Sequence, residues 1–269
     1  MSQDRRQSPK SHEAMGQVAI CGVHPVRVVL KKSRVFEVWV RHGANEHRLK
    51  DVVKEARASG VRVIETSERN FDGAVSSDSN HQGVIAFAKP REMEPENSLP
   101  IILDGYKQPL VLVLDGVTDP HNFGACLRSA EAFGVTCVIV PKDNSAPLNH
   151  VARKTSSGAS ELIPVVKVTN LARCLRTLQK SGFWIVGAAG EENDGLAAVP
   201  HDGPIGLVMG SEGLGLRRLT REICDVLVSI PMLGFIESLN VSVATGVLLY
   251  DFQSRRGVLG SSRDYEDRI

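Results

Sequence analysis

The sequence predicts an α/β protein: a mostly parallel sheet covered by helices, preceded by a smaller α/β unit. Beyond residue 110, short apolar runs alternate with stretches of helical periodicity. Those runs lack a polar face, as do strands buried on both sides. A third observation divides the chain. Residues 89–100 carry Pro90, Pro95 and Pro100 beside Glu92, Glu94 and Glu96, a composition that reads as a linker.

Taken in order, the polar head 1–16 reads as a flexible arm, 17–90 as the smaller unit, 91–105 as the linker, 106–256 as the main domain and 257–269 as a disordered tail. Residues 36–40, 61–64 and 84–88 have strand composition. Leu49, Val52, Val53 and Ala56 mark one face of a helix that Gly60 can end. In the main domain 110–114, 137–140, 184–188, 205–209 and 226–230 read as strands, with helical patterns over 123–133, 171–180, 216–223 and 239–253.

A chain of 269 residues, 42% apolar and 23% charged, suffices for one large core or two modest ones, which excludes disorder as the main state. No stretch approaches the roughly 18 apolar residues of a membrane helix, and 1–16 is too polar for a signal peptide. A cytoplasmic protein with no membrane partner is expected. Cys21, Cys126, Cys137, Cys174 and Cys224 are odd in number and contain no C-x-x-C, so reduced thiols and no metal are expected. The net charge of +1, from 32 basic and 31 acidic residues, excludes a protein that coats RNA through bulk charge. Local patches stay open: Arg27, Lys31, Lys32 and Arg34 occur without an acid among them, followed by Arg41, His42, His47, Arg48 and Lys50. From charge alone they equally fit a solvated helix face. Three Tyr and two Trp are few for a platform that stacks single-stranded bases.

Three segments rich in glycine and small polar residues follow expected strands: 115–124 (DGVTDPHNFG), 210–215 (GSEGLG) and 231–240 (PMLGFIESLN). Open α/β sheets bind ligands at the carboxyl ends of their strands, so three such loops can share one pocket, whereas a single one reads as an ordinary βα turn. Familiar alternatives fail on inspection. Residues 210–215 have phosphate-loop spacing, but Leu216 and Arg217 follow where Lys and Ser or Thr belong. Neither G-x-G-x-x-G after a strand nor G-x-S-x-G occurs. His42 and His47 lack neighbouring metal ligands, and Cys126 near His121 reads better as a small core residue than as a nucleophile with its base.

What the loops hold is Asn122 and Arg128, Glu212, and Ser238 with Asn240. Glycines admit a ligand close to bare backbone, and Ile230, Met232, Leu233 and Leu239 can wall a flat, weakly charged ring such as adenine. Arg128 offers a fork of donors suited to a phosphate, or else a salt bridge to Glu212 or Glu131.

At these residues the chain resembles the SpoU (TrmH) family of RNA ribose 2'-O-methyltransferases. The carriers are 114–128 (LDGVTDPHNFGACLR), 208–215 (VMGSEGLG), and Ile230-Pro-Met with 238–246 (SLNVSVATG). The smaller unit, through 22–26 (GVHPV) and 81–86 (HQGVIA), is similar to the ribosomal-protein-like RNA-binding domain of one branch, the 23S rRNA guanosine 2'-O-methyltransferases. The resemblance implies a SPOUT-type catalytic domain with a trefoil knot, a homodimer, S-adenosylmethionine as cofactor and 23S ribosomal RNA as partner. It implies catalytic roles for Arg128, Asn122, Glu212, Ser238 and Asn240, with cofactor contacts at Gly210, Ile230, Leu239 and Met232. Phe123 and Leu214 stand where the family often has Leu and a charged or polar residue.

Methyl transfer from a sulfonium to an alcohol is an in-line displacement that needs orientation and removal of a proton. A guanidinium with a pKa of about 12 or more is a poor base, so Arg128 fits better as a phosphate ligand that stabilises developing alkoxide. Two other readings remain at this point: a tRNA methyltransferase of the same family, and an RNA-binding assembly factor without catalysis.

Overall fold

The computed structural model describes residues 12, 15–32, 34–43, 46–74, 81–190, 196, 199–200 and 202–258. The chain forms two compact units, divided between Glu92 and Met93.

In the first unit four strands pair in the order β1 (Val18–Cys21), β4 (Val84–Ala88), β2 (Val35–Arg41), β3 (Arg62–Thr66). The β1–β4 and β4–β2 pairs are antiparallel, and β2–β3 is parallel. Helices α1 (Val23–Lys31), α2 (Glu46–Ala58) and α3 (Glu68–Ala74) connect them. α1 buries Val26, Val29 and Leu30, and α2 buries Leu49, Val52 and Ala56 of the expected stripe, with Val53 half-buried. A second cluster gathers Trp39, Phe71, Ile85 and Phe87. Glu37 is buried beside it but not unpaired: its carboxylate accepts from Trp39 Nε1 at 2.5 Å and from Arg62.

The expected arm 1–16 needs a correction at His12. This side chain is buried, stacked on Phe87 with ring centroids 3.7 Å apart and hydrogen-bonded through Nδ1 to Gln17 Oε1 at 2.7 Å. The ring thus has an aromatic floor and one polar partner, while its Nε2, 3.6 Å from Glu37 Oε1, is buried without a hydrogen bond. The rest of the arm up to residue 14, and the tail from residue 259, lie outside the described residues.

In the second unit seven parallel strands run in the order β11 (Val226–Val228), β9 (Trp184–Ala188), β10 (Ile205–Gly210), β6 (Leu110–Asp115), β7 (Cys137–Pro141), β8 (Val165–Val168), β5 (Glu94–Pro95). β6, β7 and β10 are buried along their whole length, because helices cover both faces. Leu110, Leu112 and Leu114 pack on one face with Phe123 and Leu127 of α5 (Pro120–Ala132) and Leu248, Leu249 and Phe252 of α10 (Val241–Arg255). Val111 and Val113 point the other way, toward Leu171, Cys174, Leu175 and Leu178, which form one stripe of α8 (Leu171–Lys180). Shorter helices α6 (His150–Thr155), α7 (Ala159–Leu162) and α9 (Arg218–Ile223) complete the layers.

The expected linker 91–105 is instead part of this unit from Met93 onward. β5 pairs with β8, a short 3-10 turn follows, and α4 (Leu99–Leu103) buries Leu99 in the second core. Pro95 and Pro100 fit there without breaking anything, one on an edge strand and one in a first helical turn. Ends shift elsewhere by about two residues: the expected strand 226–230 stops at Val228, and the last two helices begin at Arg218 and Val241.

Candidate active site

The carboxyl ends of β6 and β10 lead into the first two glycine-rich loops, and the third leads into α10. Asn240 joins all three. As N-cap of α10 its Oδ1 accepts the Ser242 amide at 2.9 Å and the Ser242 hydroxyl at 2.6 Å. Capping fixes the amide orientation, so Nδ2 must donate; it reaches Asn122 Oδ1 at 2.9 Å and Glu212 Oε1 at 2.6 Å. Asn122 is placed by its own helix start, where Asp119 caps α5 by accepting from the His121 and Asn122 amides, each at 3.2 Å.

Glu212 rides on a tight hairpin. Ser211 and Gly215 exchange backbone hydrogen bonds of 3.1 and 3.0 Å around Gly213, whose φ is +81°. A Cβ on Gly210 would lie 2.2 Å from the Gly215 carbonyl carbon, so no other residue fits beneath the turn. Gly124 is required for a similar reason, because α5 crosses α6 so closely that a Cβ would sit 2.4 Å from the Ala152 carbonyl oxygen.

Arg128 stands apart from this trio. Six residues beyond Asn122, it lies about 9 Å farther along α5 and about a third of a turn around it. It is exposed and forms no ion pair or hydrogen bond among the described residues, so the expected alternative of a bridge to Glu212 or Glu131 is not what the fold adopts. Ser238 is likewise exposed and outside the hydrogen-bonded network. Cys126 is a core residue: its Sγ lies 3.6 Å from Thr245 Oγ1, and burial pushes the thiol up to about 11. His121 turns to Thr155 Oγ1 at 3.5 Å instead.

Of the apolar candidates, Ile230 is half-buried against the core, while Met232, Leu233 and Leu239 line an exposed loop. Among the described residues, the backbone of 231–239 makes no hydrogen bond, so its amides and carbonyls are available to a ligand. Sequence reasoning missed two residues here. Asp115, at the very end of β6, is 0% exposed; its Oδ2 accepts the Arg217 amide at 3.3 Å, and its Oδ1 lies 3.3 Å from Arg217 Nε. A charge closing a wholly apolar strand was the available signal. No group of three or more His, Cys, Asp or Glu able to hold a metal occurs among the described residues, and none of their helices is long and apolar enough to cross a membrane.

This geometry spans the region matched by the model of the SpoU rRNA methylase family, residues 109–250. The chain belongs to that family. A second model, for the substrate-binding domain of RNA 2'-O ribose methyltransferases, matches residues 19–94. Among curated SpoU relatives, the 23S rRNA (guanosine-2'-O-)-methyltransferase RlmB of Yersinia pestis is 49% identical over 89% of this chain and 98% of its own length. The RlmB of Escherichia coli K12 is 48% identical over 88% of this chain and 98% of its own. Among solved structures, the SpoU methyltransferase AviRb from Streptomyces viridochromogenes, crystallised with AdoMet, superposes with a TM-score of 0.65 at 22% identity, covering 91% of this chain and 93% of its own. Thus the SpoU fold, with its mostly parallel sheet, is the one the sequence predicts.

Proposed function

We propose that this protein transfers the methyl group of S-adenosylmethionine to the ribose 2'-hydroxyl of a guanosine in 23S ribosomal RNA. The observation that carries this reading is the Asn122–Asn240–Glu212 junction, formed from three distant SpoU segments at the ends of buried parallel strands. Near-half identity to 23S rRNA enzymes along almost the whole chain names the substrate.

The residues present suit the cofactor. Unbonded backbone at 231–239 can take the edge of an adenine, and Ile230, Met232 and Leu239 supply apolar walls beside Gly210. When bound, S-adenosylmethionine supplies an electrophilic methyl group, and its transfer to an alcohol releases one proton. Asn240 holds Glu212 as an acceptor and Asn122 by its oxygen, which leaves the Asn122 amide group to donate toward the ribose. Ser238, two residues before the cap, offers an exposed hydroxyl to the substrate. Arg128 grips the neighbouring phosphate and stabilises charge on the attacking oxygen, with the proton lost late, to solvent or through that phosphate.

The first unit grips the RNA, and the second carries the chemistry. The working form is a homodimer in the cytoplasm, with the C-terminal segment passed through a trefoil knot. Support for the dimer lies on α10, whose inner face buries Val241, Thr245, Leu248, Leu249 and Phe252 while Val243, Val247 and Tyr250 form a second apolar stripe in the open. Such a stripe, with Leu233, Phe235 and Ile236 also exposed in the preceding loop, is a surface that association covers. Charging it by Val243→Glu with Val247→Glu is expected to yield monomers in sedimentation.

Calorimetry with S-adenosylmethionine, with and without EDTA, tests the cofactor: binding insensitive to chelation is expected, and absence of binding overturns the reading. Mapping ribose methylation in ribosomal and transfer RNA from a deletion strain tests the substrate. A lost mark in tRNA alone would move the enzyme to the other branch.

A further inference from the structure

The glycine loop ends on a side chain that the reaction above does not use. Arg217 follows GSEGLGL and departs from phosphate-loop sequence at the position where a Ser or Thr would stand. Its backbone amide and its Nε both face Asp115, which is wholly buried at the end of β6. A buried carboxylate has few ways to be compensated; the Arg217 amide is hydrogen-bonded to Oδ2 and Nε lies at ion-pair distance from Oδ1, which keeps the guanidinium at the end of β6. The side chain itself is 46% exposed. Neither Nη nitrogen has an acceptor among the described residues.

The neighbours of those free nitrogens indicate what they face. Gly116, the first residue after β6, has a φ of +89°; a Cβ placed there would lie 3.7 Å from Arg217 Nη2, 3.4 Å from Ser211 Cβ and 3.8 Å from Ser211 Oγ. The Nη group and the Ser211 hydroxyl therefore share a nook over two strand ends. Glu212, the next residue along the hairpin, is bonded to Asn240. An arginine drawn by its Nε toward a buried acid keeps its outer donors available on the open side, and that fork suits a planar or tetrahedral oxyanion.

We propose that Arg217, buttressed by Asp115 and flanked by Ser211, is a second oxyanion-binding group of the active site, separate from Arg128. The oxyanion is the carboxylate of the cofactor's amino-acid moiety or a phosphate of the RNA. Both are held by the same forked hydrogen bonding. This inference rests on the proposed methyl transfer and adds a ligand contact to it.

The test uses the full-length protein with Arg217→Ala, Arg217→Lys and Asp115→Asn. Wild-type binding of S-adenosylmethionine and methylation of ribosomal RNA check the reaction itself, so its failure shows separately. If the carboxylate is the ligand, Arg217→Ala weakens S-adenosylmethionine binding at least about tenfold and leaves 5'-deoxy-5'-methylthioadenosine, which lacks that carboxylate, within about twofold. If an RNA phosphate is the ligand, cofactor affinity holds while RNA affinity falls, and the slope of log K against log salt drops by about one. In either case Asp115→Asn reproduces part of the loss and Arg217→Lys restores little, because an ammonium cannot take the buttress and the ligand in one plane. A wild-type enzyme that binds and methylates, beside an Arg217→Ala variant unchanged in cofactor affinity, RNA affinity and salt slope, overturns the site.

Discussion

The two units differ in how completely their sheets are buried. In the second, β6, β7 and β10 are buried end to end, and apolar side chains fill both faces. In the first, β4 is buried but β3 is largely open, and ion pairs lie around the apolar core: Arg27 to Glu55 between two helices, Arg41 to Glu68 from strand to helix, and Arg62 to Glu37 across two strands. A sheet that needs no polar side chains inside can concentrate them at its strand ends, where a fixed backbone sets their geometry. A charge-laced unit instead offers a surface whose interactions weaken with salt. The contrast fits the proposed division of chemistry and grip between the units.

The largest effect is expected at Arg128. Arg128→Ala should lower turnover by about 10²–10³ or more, the usual cost of removing a group that stabilises transition-state charge, while cofactor affinity changes within a few-fold. Exposure without an internal partner means that folding does not depend on it. Single-turnover assays with unchanged thermal melting check this; wild-type rates would return the chemistry to Glu212 and Asn240 alone.

Separating the units comes next. A protein of residues 93–269 should still bind S-adenosylmethionine but methylate ribosomal RNA about 10²-fold less efficiently, since a tethered second contact raises the effective concentration of the first. Starting at 106 instead removes β5 and α4, uncovers the core that Leu99 closes, and should lower the melting temperature. Full activity of 93–269 would place RNA selection in the catalytic unit.

That boundary also shows what the sequence could convey. The long apolar strands were legible because both faces are buried, which leaves one reading for runs such as 110–114. Proline and glutamate at 89–100 suggested a linker because composition does not reveal that β5 finds an edge at β8. The three loops were legible as a group, but the partners within them were not: only the fold brings Asn122 and Asn240, 118 positions apart, to 2.9 Å. Asp115 and Arg217 were missed because their pairing spans 102 positions.

A smaller effect is expected on the first unit. Of its basic cluster, Arg27 is engaged with Glu55 through contacts of 2.7–3.1 Å, and Arg34 donates to the Lys89 carbonyl at 3.2 Å, so the exposed Lys31 is the cation this cluster best offers to phosphate. Burial first, then Arg27 and Lys31, hold His24 below its ordinary range, which keeps it neutral at pH 7 and out of the charge count. Replacing Lys31 by Ala should weaken RNA binding only a few-fold at moderate salt and lower the salt slope by about one. An unchanged slope would make the cluster a solvated face.

The smallest effect is expected at Cys126, and it sharpens the comparison from the other side. A thiol beside an exposed histidine in the first SpoU segment invites a covalent reading, in which Cys126 attacks and His121 takes the proton. The fold argues against each half of it. Burial lifts the Cys126 thiol to about 11, so the thiolate fraction at pH 8 is about 10⁻³, and burial holds Cys137, Cys174 and Cys224 higher still, at about 12. Cys126 Sγ faces Thr245 Oγ1, which spends its own proton on the Val241 carbonyl at 2.7 Å, while His121 is engaged with Thr155 on the α6 side. Cys126→Ala should therefore keep turnover within about twofold and cost about 1 kcal/mol of stability through the small cavity it leaves between α5 and α10. Iodoacetamide at pH 8 should label Cys126 only after denaturation, read by mass spectrometry. Rapid native labelling together with lost activity in Cys126→Ala would mean that the chemistry reaches into the core, and the separation of an inert sheet from reactive strand ends would fail.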